Sequence, residues 1–125
     1  MNRKSIAGKM LRFTFADGPM AGKTFEHLFE PSGAVRYRQV DGTGEGTTEK
    51  KYEAAPIGSD VWALSYLGSS GYTLTVVLDY STMTLVAFSS NEKVHLIQHG
   101  TFEVAGAWWD TLHDRPEREA ARQRL

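Results

Sequence analysis

The stretch LTVVLDYSTMTLVAF, residues 74–88, limits what this chain can fold into more than any other. Side chains on a strand alternate between two faces, so Val76, Val77 and Leu78 in succession put hydrocarbon on both sides. An open antiparallel sheet normally leaves one face to water. A strand that is apolar on both sides must be covered twice. A sheet rolled into a barrel achieves this: one face fills the lumen and the other packs against a tail, a loop or another subunit.

Short runs of period-two alternation, separated by turn residues, recur along the rest of the chain. Residues 9–15 place Leu11, Phe13 and Phe15 on one face, and residues 23–29 do the same with Phe25, His27 and Phe29. In residues 33–40, Val35, Tyr37 and Gln39 lie opposite Arg36, Arg38 and Val40. ADGPMAG and EPSG break the chain between these runs. Residues 47–53 are the most polar run, anchored only by Tyr52, and read as one edge or rim strand. Residues 61–67, 72–79, 83–89 and 93–104 are rich in β-branched and aromatic side chains, with Gly100 placed where the longest of them must bend. The order predicts an all-β, antiparallel up-and-down barrel of about eight strands over residues 1–109. A sandwich would fit the spacing, but the two-sided strands favour the barrel. In the charged tail, residues 110–125, Asp114 and Glu117 form a capping box with Pro116 in the first turn, which predicts a short solvated helix.

Composition removes several function classes. A net charge of −1 gives no field that would gather nucleic acid or an anionic membrane. Without cysteine there is no disulfide, thiol nucleophile or thiolate metal ligand. No apolar run reaches the roughly 18 residues of a spanning helix, and MNRKSIAGKML has basic residues but no signal-peptide core. The expectation is a soluble, cytoplasmic protein.

Three runs, GKTFEHLFEPSGAVRYRQV, KKYEAAPIGSDVWALSYL and YTLTVVLDYSTMTLVAFSS, carry a resemblance. Over residues 22–104 the chain resembles the small calycin-like barrel domains of the molybdenum cofactor biosynthesis protein F (MoaF) family. The likeness consists of strand pattern, a tyrosine before a proline-containing loop, and an aspartate closing a strand. It implies a lipocalin-like (calycin) barrel with a ligand cavity, and brings no functional residue and no cofactor with it.

The residues themselves suggest a lining for such a cavity: Tyr37, Tyr52, Trp62, Leu64, Tyr66, Leu74 and Val76. Trp62, Leu64 and Tyr66 must share one face. Rings with a few hydroxyl and indole donors suit a small apolar or aromatic molecule; a solid core is the plain alternative. HLIQH, residues 95–99, has no metal-site geometry, because four residues of strand separate its histidines by roughly 13 Å. No metal is expected. If Tyr37 faces inward, Arg36 and Arg38 face outward; Glu49, Lys51 and Glu53 share a face and read as solvated charges. DGTGEG, residues 41–46, lacks the lysine and hydroxyl of a phosphate loop and reads as a lid over the mouth. Trp108 and Trp109 form either a plug beneath the barrel or a homodimer contact.

Three functions are compatible with this inventory. The first is a binding barrel for a small apolar or aromatic molecule. The second is a lyase or isomerase with a lumen Glu or His beside a tyrosine, for which Glu53 and His95 are the candidate proton carriers. The third is an interaction module with a filled core. No nucleophile-elbow pattern is present.

Overall fold

The computed structural model describes residues 6–40 and 46–107. Nine strands follow one another: β1 (Lys9–Phe15), β2 (Thr24–Phe29), β3 (Val35–Gln39), β4 (Thr47–Glu49), β5 (Tyr52–Pro56), β6 (Val61–Leu67), β7 (Thr73–Asp79), β8 (Thr84–Ser90) and β9 (His95–Ala107). All pairings are antiparallel, in the order β4-β3-β2-β1-β9-β8-β7-β6-β5. The result is a nearly closed up-and-down barrel whose ends are β4 and β5. Among the described residues no helix is long and apolar enough to cross a membrane. The expected C-terminal helix at 110–125 and the Trp108–Trp109 contact lie outside the described residues, as does most of the expected lid at 41–46.

Nine strands replace the expected eight because the single polar strand at 47–53 divides. Alternating directions require β4 and β5 to run the same way, and only Lys50 and Lys51 separate them. They are two halves of one stave that changes partner, β4 pairing β3 and β5 pairing β6. An even number of staves lets an antiparallel meander close without a crossover. The change of partner leaves a seam, which the Tyr52 amide bridges by donating to the Gly33 carbonyl at 2.9 Å.

The two apolar faces of β7 and β8 resolve by parity. Val76, Leu78, Leu85 and Ala87 point into the barrel and are buried. Val77 and Val86 are cross-strand partners on the outside, next to Phe88 opposite Ile97. Phe88 and Ile97 remain 44% and 50% exposed. The long last strand pairs β8 with its first half and β1 with its second, and the backbones come closest at Gly100. A β-carbon there would sit 2.2 Å from the Thr14 carbonyl oxygen, so only glycine fits. A register shift between Met10 and Leu11 supplies more of the curvature. Asp79 Oδ1 accepts from the Ser81 amide at 2.9 Å and its hydroxyl at 2.6 Å, fixing the β7–β8 turn.

Inward side chains fill the end of the barrel at the β7–β8 and β2–β3 turns. Ile6, Leu11, Phe13, Phe29, Val35, Leu78 and Leu85 are almost fully buried in one cluster, with Trp62, Tyr80 and Met83 packed against it. Outside, a charge row crosses four strands. Arg12 lies between Glu103 at 2.8 Å and Glu26 at 3.0 Å, and Glu26 also accepts from Arg38 at 3.0 Å.

Candidate functional site

At the other end of the barrel, where β1 meets β2, β6 meets β7 and β8 meets β9, the packing stops short. A cavity of about 480 Å³ remains. Its wall is built from Phe15, Phe25, Tyr66, Leu74 and Leu96 near the ends of those strands and from Tyr37 of β3. The same wall also carries small residues, Gly68, Ser70 and Ser89, which take up little of the volume. Pro19 and Met20 of the β1–β2 connection form a roof.

That roof is fastened to β9. The Met20 amide donates to Gln98 Oε1 at 3.3 Å, and Gln98 is itself buried. Gly18 has φ +77°, and a β-carbon on it would lie 2.6 Å from Gln98 Cγ. Asp17 accepts from the His99 amide at 2.7 Å and pairs with His99 Nδ1 at 2.9 Å. These bonds hold the Asp17 carboxyl below its ordinary range.

The polar chemistry of the lumen is concentrated in two pairs. His27 is 3% exposed, its ring stacked 4.5 Å from Phe13 and 5.3 Å from Tyr37. Its Nε2 lies 2.9 Å from the Tyr66 hydroxyl, while Nδ1 is buried with no partner. Burial pushes the imidazole down to about 3, so it is neutral at physiological pH. Burial likewise pushes the Tyr66 phenol far up, helped by the nearby Tyr37 and Glu49. In the second pair the Tyr37 hydroxyl donates to Glu49 Oε2 at 2.6 Å, and the same oxygen accepts from the Ser69 amide at 2.9 Å and the Ser69 hydroxyl at 3.2 Å. Desolvation raises the Glu49 carboxyl, but these three bonds outweigh it and leave it below its usual value. Tyr37, desolvated and tied to that carboxylate, is raised. The rings of Tyr37 and Tyr66 stack at 5.3 Å, which joins the two pairs.

Of the residues expected to line a cavity, Tyr37, Tyr66 and Leu74 are on its wall. Leu64 and Val76 are buried in the packed cluster, with Tyr52 and Trp62 lying against that cluster. Tyr52 contacts Phe29 edge-on at 5.0 Å and donates to the Glu30 carbonyl at 3.3 Å. The proton carriers expected for an enzyme are elsewhere. Glu53 is exposed and pairs with Lys51 at 3.0 Å on the outside, and His95 is exposed at the start of β9. Glu49 does not share their environment, because the break at Lys50 and Lys51 turns it inward to Tyr37 while Glu53 stays out. Arg36 and Arg38 point outward, paired with Glu30 at 3.1 Å and Glu26 at 3.0 Å. Among the described residues no group of three or more His, Asp or Glu is placed to hold a metal ion.

A broader, open hollow of about 700 Å³ lies against the seam, lined by Thr48, Glu49, Lys50, Lys51, Glu53 and Ser65 among others. Tyr66 and Gly68 border both spaces.

No family model matches the sequence, and no curated protein matches it. Among solved structures, the chain is similar to a crystal structure from Burkholderia vietnamiensis that carries the provisional name beta-lactamase. The TM-score is 0.66 at 19% sequence identity, with 84% of this chain and 100% of that one covered. At that identity the likeness concerns the fold alone: a β-barrel.

Proposed function

We propose that this chain is a small-molecule-binding barrel of the lipocalin-like, MoaF-like kind, holding an apolar or aromatic molecule in its lumen. One observation carries the reading: a barrel solidly packed at one end keeps a 480 Å³ cavity at the other, walled by rings and aliphatic side chains with few polar groups. Binding sites for small molecules have this make-up and commonly run from about 300 to 1,000 Å³.

The enzymatic reading is weaker, on chemical grounds. A general acid or base works best with a pKa near the operating pH. Here the buried imidazole is held near 3, both phenols are raised and Glu49 is lowered and triply hydrogen-bonded. A serine-lactamase reading fares no better. The only S-x-x-K spacing, at Ser90 to Lys93, falls at the exposed β8–β9 turn, where Asn91 Oδ1 accepts from the amides of Lys93 at 2.8 Å and Val94 at 2.7 Å. The S-D-N and K-T-G partners of that motif are missing from the sequence.

The test is a titration of the purified chain with N-phenyl-1-naphthylamine, a neutral probe that fluoresces in apolar sites, followed by displacement with an aromatic and fatty panel. Saturable binding at one site per chain is expected, abolished by Ser89→Trp, which fills the cavity. Native mass spectrometry with no adduct from any member of the panel would remove the reading.

A further inference from the structure

We infer that the molecule this cavity takes is a neutral aromatic one bearing a single hydrogen-bonding group, and that the His27–Tyr66 pair is what meets that group. The inference rests on the binding reading above and adds the ligand's chemical class.

A neutral imidazole has one N–H and one lone pair; a protonated phenol has one O–H and lone pairs on its oxygen. Between His27 Nε2 and Tyr66 Oη there is one hydrogen bond, at 2.9 Å. It can be made in two ways. If the phenol donates to Nε2, the imidazole proton sits on Nδ1, which is buried and unpartnered, and the phenol oxygen is left to accept. If Nε2–H donates to the phenol, the Tyr66 proton is released to donate elsewhere. Each arrangement leaves one donor unspent in a buried, apolar place; when that donor is the Tyr66 hydroxyl, a ligand atom that accepts from it removes the cost. Both residues line the cavity.

The two arrangements differ by a tautomer shift, so the pair can offer Tyr66 Oη as a donor to a carbonyl or as an acceptor to an N–H. The neighbouring phenol has less freedom, since Tyr37 donates to Glu49 at 2.6 Å. The rest of the wall selects against charge. Among the described residues the cavity lining contains no lysine or arginine, and the Tyr37 hydroxyl on its wall is bonded to a carboxylate, that of Glu49. An anionic head would enter without a counter-charge and beside a like one. The stacked rings of Tyr37 and Tyr66 favour a flat partner.

The experiment compares three probes of one ring system by calorimetry at pH 7: naphthalene, 2-acetylnaphthalene and 2-naphthoate. The acetyl compound should bind about tenfold tighter than naphthalene, the effect of one hydrogen bond gained in an apolar site, and naphthoate should bind no tighter than naphthalene. In the double variant His27→Phe/Tyr66→Phe the acetyl and plain compounds should fall within twofold of each other. A second readout needs no variant. The ¹⁵N shifts of His27 in the intact chain should report a neutral ring whose proton settles on Nε2 when the acceptor-only acetyl compound saturates the site. With indole, a donor-only probe, it should settle on Nδ1. If naphthalene binds and the acetyl group adds nothing, or naphthoate binds tightest, or the ¹⁵N shifts do not move, the inference falls while the binding reading stands. If none of the three binds and the wider panel also fails, both fall.

Discussion

The two ends of this barrel use the same alternation of inward side chains and reach opposite outcomes. At the packed end Leu11, Phe13, Phe29, Leu78 and Leu85 interlock, aliphatic groups filling the spaces between rings. At the hollow end the rings of Tyr37, Tyr66, Phe15 and Phe25 share the wall with the small residues Gly68, Ser70 and Ser89. Burial alone does not decide whether a barrel is solid; the sizes of the side chains that share the lumen do. The hollow end is also where hydrogen bonds to side chains replace packing, at His27, Glu49 and Gln98.

Disturbing the ends separately should expose this asymmetry. The largest effect belongs to neither cavity nor core but to the β1–β9 closure that serves both. Gly100→Val places a side chain against the Thr14 backbone and should cost more than about 3 kcal/mol, or abolish cooperative unfolding in urea. Next comes the matched pair Phe29→Ala and Leu74→Ala. The first empties a filled space and should cost about 3–5 kcal/mol; the second enlarges an existing one and should cost about 1 kcal/mol or less. Equal losses would dissolve the contrast.

His27 supplies a pH test of the hollow end. Its folded pKa is depressed to about 3 from an ordinary value of 6.5, so between those limits the unfolded chain binds a proton that the folded chain does not. The stability that the neutral ring contributes is present above pH 6.5 and is lost as the pH falls, by up to about 1.4 kcal/mol per pH unit. His27→Phe should flatten the stability profile between pH 6.5 and 4.5. Tyr66→Phe, which strips the imidazole of its partner, should cost about 1–3 kcal/mol at pH 7, and adding His27→Phe should recover part of that. The smallest effect is expected outside the barrel. Arg36→Ala removes a half-exposed pair with Glu30 and should change the unfolding midpoint by less than about 1 kcal/mol equivalent.

Much of the wall was legible in the sequence because it is written in period two. Alternation groups Leu11, Phe13 and Phe15 on one face, sets Tyr37 opposite Arg36 and Arg38, and puts Leu64 with Tyr66, but it left open which face of the first four strands turns inward. His27 had the same signal, falling between Phe25 and Phe29 on an otherwise aromatic face. Its bond to Tyr66 spans 39 residues and depends on the stagger of strands around the barrel, which no local pattern records. Glu49 was hidden for a different reason. Read as part of one strand from 47 to 53, it belongs with Lys51 and Glu53, and only the break at Lys50 and Lys51 separates their surroundings. Which inward residues would meet volume and which would meet other side chains was likewise beyond local reading, since Tyr37, Tyr52 and Trp62 all pack against the core cluster and of the three only Tyr37 also borders the cavity.

The stave that trades one neighbour for another at Lys50 and Lys51 also sets where the wall gives way first. Its upper half is stitched to β3 by just three residue pairs, whereas β6, β7 and β8 are joined along seven-residue ladders. In heavy water, deuterium should therefore reach the amides on either side of that join well before those of β7, so that the fabric loosens from this slit inward.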